Sequence, residues 1–89
     1  MSVQQPEDDA AQRALSLRAS DADRERVAEV LRQAYAEGRL TAVEMQERLG
    51  EAYAAQTYAD LVPVLRELPI PPGTVAVPGG FGTGKTVIE

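Results

Sequence analysis

The chain has 89 residues, a formal charge of −5, and neither cysteine nor histidine. That length allows one small domain plus tails. The composition excludes disulfides, thiolate metal sites and thiol nucleophiles, and it removes the usual general base and the commonest metal ligand. The acidic balance argues against a non-specific grip on nucleic acid, which needs Lys and Arg to neutralise phosphates.

Residues 1–19 open polar and acidic, with Pro6 followed by Glu7-Asp8-Asp9. This composition predicts a disordered tail, with helix-forming residues only over 10–17. The segment has no apolar core of the kind a secretory signal carries, and no run in the chain reaches the roughly 20 apolar residues of a membrane span. The sequence therefore reads as a soluble, cytoplasmic protein.

Ser20 begins the ordered part. Ser20-Asp21-Ala22-Asp23 has an N-cap hydroxyl with an acid three residues on, and its two aspartates suit the positive end of a helix dipole. Val27, Val30, Leu31, Ala34 and Tyr35 recur at the spacing of one helical face. The spacing predicts a helix over 21–37, closed by Gly38, where the lack of a Cβ permits a left-handed C′ residue. Thr41-Ala42-Val43-Glu44 is a second capping box, with Leu40 and Met45 placed to form a hydrophobic staple. The helix it opens is predicted over 42–55, with Met45, Leu49, Ala52 and Tyr53 on the inner face. Glu44 and Arg48 form an i, i+4 pair, and Gly50 costs this helix about 1 kcal/mol relative to Ala. Thr57-Tyr58-Ala59-Asp60 starts a third helix over 58–68, with Tyr58, Leu61, Val62, Leu65 and Leu68 on one face. Pro63 removes a hydrogen bond there and predicts a kink.

The expectation is an all-α, three-helix module over 20–69, with a Pro/Gly-rich tail over 70–89. Between Asp21 and Glu67 there are six basic and ten acidic residues, a net −4. This charge opposes a helix-turn-helix DNA reader, which the short glycine-containing turn otherwise invites. Tyr35, Tyr53 and Tyr58 fall at core spacing. Acid pairs such as Glu44 and Glu47 read as a solvated face rather than a metal site. Arg39 is the interaction candidate: it can bond the last carbonyls of the first helix, pair with Glu44 or Glu47, or meet an acidic partner.

Several spaced motifs carry a resemblance: Arg18-Ala19-Ser20-Asp21-Ala22-Asp23-Arg24-Glu25, Gly38-Arg39-Leu40-Thr41, Glu47-Arg48-Leu49, Ala52-Tyr53-Ala54-Ala55 and Leu68-Pro69. In this order, over about residues 17–69, they resemble the SHOCT-like domain, a short domain of unknown function common in actinobacterial proteins. The resemblance implies an accessory module for protein–protein interaction or oligomerisation, with no catalytic residues. Versions followed by membrane spans occur in that family; the expectation from this sequence is a module without one.

A different signal lies further on. Thr74-Val75-Ala76-Val77 is strand-like, and Gly79 through Thr86 fits G-x-x-x-x-G-K-[ST]. Glycines at such positions let backbone N–H groups converge on phosphate, while a lysine reaches the β- and γ-phosphates and a hydroxyl holds Mg²⁺. Residues 73–89 resemble the nucleotide-binding loop of the catalytic A subunit of vacuolar and archaeal-type rotary ATPases. That resemblance implies a cradle from Gly79, Gly80, Gly82 and Gly84, Phe81 as a loop-shaping residue, Lys85 on phosphate and Thr86 on magnesium. The sequence offers no second acid for magnesium and no glutamate to activate water. The leading expectation is therefore an interaction module that needs no cofactor and is not itself an enzyme. The alternative is an Mg-ATP-binding fragment of a P-loop ATPase that further sequence would complete.

Overall fold

The computed structural model describes residues 12–75. Three helices and a 3-10 turn follow one another: α1 (Asp21–Ala36), α2 (Ala42–Ala54), α3 (Tyr58–Leu61) and η1 (Val62–Leu65). A further helical turn covers residues 12–15, and no strand occurs among the described residues. The all-α module is the fold observed.

Local chemistry explains each start. Ser20, Thr41 and Thr57 are N-caps in extended backbone, and each closes a reciprocal capping box, with Asp23, Glu44 and Asp60 respectively. The end of α1 is a Schellman motif. The Gly38 N–H donates to the Tyr35 carbonyl at 3.0 Å and the Arg39 N–H to the Ala34 carbonyl at 2.9 Å. Gly38 takes φ +78°, which a Cβ would disfavour.

The third element differs from the expected 58–68 helix. It runs as α-helix only to Leu61, then tightens into η1 with Pro63 in its first turn. Proline has no N–H to give an i−4 carbonyl, and the narrower turn absorbs that loss. Past η1, Glu67 adopts φ +69°, a left-handed value costly for a residue with a Cβ.

The core is one cluster. Val27, Leu31, Ala52, Leu61 and Leu65 are almost wholly enclosed, and Leu40, Tyr58, Val64 and Leu68 complete it. Leu40 and Met45, the staple pair, both lie on this core. Packing extends beyond 20–69 in both directions. Ala14 and Ala19 are buried on one side, Thr74 and Val75 on the other. Residues 17–19 also pair with the stretch before α3. The Ala19 N–H donates to Gln56 O at 2.9 Å and the Tyr58 N–H to Leu17 O at 3.1 Å.

Two tyrosines depart from the expected core. Tyr35 is 45% exposed and Tyr53 48%. Tyr35 stands about 80° around α1 from Val27, at the edge of the apolar stripe. The Tyr53 hydroxyl spans the two long helices instead: it donates toward the Glu25 carboxylate at 3.1 Å and accepts from Arg32 at 3.0 Å.

Candidate functional site

Two polar centres hold the module together. Asp23 is 4% exposed, although its cap position suggested only helix-start electrostatics. Its carboxylate accepts from the Ser20 N–H at 2.8 Å, from the Tyr58 hydroxyl at 2.6 Å and from Arg26. Burial pushes this carboxyl upward. The bonds from the Ser20 backbone, Tyr58 and the Ser20 hydroxyl, with the Arg26 charge, outweigh burial and hold it below the ordinary range. Burial, then the bond to Asp23, pushes the Tyr58 phenol up to about 12.

Arg48 is the second centre. It is 5% exposed, so the expected exposed pair with Glu44 is not what forms. Its guanidinium donates to the carbonyls of Val64 (3.2 Å) and Arg66 (2.6 Å) and to Glu67 at 3.2 Å. Glu44 serves the cap instead, and the backbone bond from Thr41 is the chief reason its carboxyl lies low. Sequence periodicity gave no sign of this role, since an arginine reads as solvated until the carbonyls it meets are known. Both centres are closed: no buried side-chain polar atom among the described residues lacks a partner.

An open feature lies at the other end of α1. A groove of about 500 Å³ runs between the second half of α1 and the chain at Pro69–Pro71. Its floor is apolar, from Val30, Ala34 and Ile70 with the two prolines. Its rim is polar: Glu29 and Gln33 on α1 and Glu37 at its C-cap follow one another at i, i+4, i+8, and Arg39 closes the end. Arg39 makes neither of the expected side-chain contacts. Its guanidinium pairs with Glu37 at 2.9 Å, two residues back, while the backbone turn satisfies the α1 carbonyls. The Gln33 amide also donates to Glu37 at 3.0 Å, and these two bonds, Gln33 first, hold the Glu37 carboxyl below its ordinary value.

Among the described residues no three acidic, His or Cys side chains gather to hold a metal, and no helix is long and apolar enough to cross a membrane. Gly79, Gly80, Gly82, Gly84, Lys85 and Thr86 lie outside the described residues, so the geometry of the phosphate-loop pattern is not part of this site.

Capped short helices around one core, with an acid-rimmed groove at the end of α1, define a small all-α module. The chain belongs to the DUF1707 SHOCT-like domain family, whose model matches residues 17–69. Uncharacterized proteins Rv0966c and MT0994 of Mycobacterium tuberculosis (strains H37Rv and CDC 1551) are each 44% identical to it over 54 residues. The match takes in 61% of this chain but spans only 27% of the length of those relatives. No solved structure matches the chain significantly.

Proposed function

We propose that the chain is a protein–protein interaction module without catalysis of its own, working through the groove beside Arg39. The groove is the observation that carries this reading. It offers an apolar floor with charged groups at its edge, the layout of a site that gains affinity from burial and selectivity from its rim. Arg39 stands at the edge of that floor, able to exchange its exposed bond to Glu37 for a carboxylate of a partner. A cytoplasmic location goes with this reading.

A photo-crosslinking amino acid at Gln33 tests it in cells, with the same group at exposed Glu51 as control. The expected result is protein adducts from position 33 and few from position 51. No adduct from position 33, in a chain that folds as the wild type does, rules out the groove as a contact surface.

The glycine-rich pattern favours a second reading, nucleotide binding by Gly79, Gly80, Gly82, Gly84, Lys85 and Thr86, with Thr86 on magnesium. Mg-ATP titration followed on the Gly80, Gly82 and Lys85 amide resonances decides it. A specific site gives saturable shifts that Lys85→Ala abolishes; identical shifts in the variant exclude one.

A further inference from the structure

We infer that the groove receives the Arg13–Arg18 segment of a second copy of this chain. The inference rests on the groove being a contact surface, and it commits to the occupant.

The occupant is argued from charge complementarity. The rim displays Glu29 on α1 and Glu37 at its C-cap, both substantially exposed, around an apolar floor. The opposite pattern occurs elsewhere on the same molecule. Leu17 is 44% exposed, and Arg13 and Arg18 beside it are exposed as well. Neither arginine forms an ion pair with another described residue. A lone surface leucine would mean nothing. A leucine between two cations, on a molecule that also carries an apolar slot between two acids, forms a matched set.

The rim charges already have neighbours. Glu29 lies 3.5 Å from Arg32, and Glu37 pairs with Arg39. These pairs are exposed, and such pairs are weak enough to share or exchange. Arg39 is the one cation lining the groove, so the lining acids outnumber it two to one.

The contact is between molecules because the chain cannot fold its own segment into its own groove. Leu17 and Ala19, just ahead of α1, are bonded to the Gln56–Tyr58 stretch that leads into α3. The middle of the groove lies about 20 Å away along α1, at 1.5 Å rise per residue. A patch of one copy meeting a different patch of another is a heterologous contact, which either closes on itself or runs on as a chain of copies.

The test uses charge reversal on the full 89-residue chain, read by sedimentation velocity across a wide concentration range. Wild type is expected to show mass above monomer that falls on dilution and with added salt. Arg13→Glu with Arg18→Glu sets acid against acid, and Glu29→Arg with Glu37→Arg sets base against base. Each double variant alone should weaken association about tenfold or more. Mixed together, the two are complementary at both contacts and should associate as wild type does, which misfolding cannot imitate. Leu17→Asp, removing the apolar anchor, should weaken association; the Arg13→Glu/Arg18→Glu variant should not rescue it, whereas the Glu29→Arg/Glu37→Arg variant, whose segment is wild type, should still dock in its intact groove.

A monomeric wild type at every concentration overturns the inference, as do double variants that associate normally or a mixture that stays apart. So does crosslinking from position 33 only to another protein, or only within one chain. Adducts to another protein leave the interaction reading standing while this inference falls. No adduct from position 33 at all removes both.

Discussion

The two ends of α1 are built to opposite plans. At its start, Ser20, Asp23, Arg26 and Tyr58 join cap, helix and the third element through one buried carboxylate. At its finish, Glu37 and Arg39 form an exposed pair over a groove that nothing in the described chain fills. The first end uses polar groups to fasten the fold, and every bond there is internal. The second spends few internal bonds and leaves its charges available. Substitutions at the first should therefore register as stability, and those at the second as association.

The largest stability loss should come from the core both ends share. Leu31→Ala empties a fully enclosed site, and such changes cost about 2–5 kcal/mol. Denaturant unfolding measures this; a loss below 1 kcal/mol would mean the core is looser than its burial indicates. Arg48→Met comes next. It strips the donors from the Val64 and Arg66 carbonyls, at about 2–3 kcal/mol, and it loosens the chain leading into the Pro69–Pro71 wall of the groove. That variant tests whether the two plans are coupled, since it should weaken self-association too.

The pH profile probes the fastened end directly. Asp23 is held below its unfolded value of about 3.9, so its contribution is fully present above that pH and drains away as pH falls through the lower folded value. Asp23→Asn should flatten that acid limb in a series of unfolding curves. Tyr58 gives the matching alkaline limb: its folded value of about 12 exceeds the ordinary value of 10, so stability is lost as pH rises through that window. Tyr58→Phe should remove the phenolate absorbance that appears near there.

Gly50 lies mid-helix, exposed, with open space where a Cβ would stand. Gly50→Ala should therefore stabilise by about 0.5–1 kcal/mol in thermal unfolding. The smallest stability effect belongs to the open end. Arg39→Ala should move stability by less than about 0.5 kcal/mol, while changing the adduct yield from position 33. A large stability loss there would make Arg39 a fastening residue and erase the contrast.

Caps and periodicity made much of this fold legible. Ser20, Thr41, Thr57 and Gly38 act through bonds to residues three or four positions away, and such bonds are written in local order. The Asp23–Tyr58 bond spans 35 positions and Arg48 reaches 16 to 19. No local pattern encodes them, so Arg48 read as half of a surface pair and Tyr53 as core. The groove was legible only through Arg39, because Pro69–Pro71 comes back to α1 from far along the chain. Pro63 announced a disturbance in the third helix, but not that the chain would resolve it as a 3-10 turn.

The bond from the Arg26 side chain to the Thr74 carbonyl, at 3.4 Å, has a mechanical side. The chain enters α1 at Ser20 and comes back alongside it within two turns of that point. Tension between the flanking segments would load this short bracket and the buried Val75 before it reached Leu31 or Leu61. Val75 belongs to the same core, so a pull on the returning chain enters that core at its edge, along one face of α1.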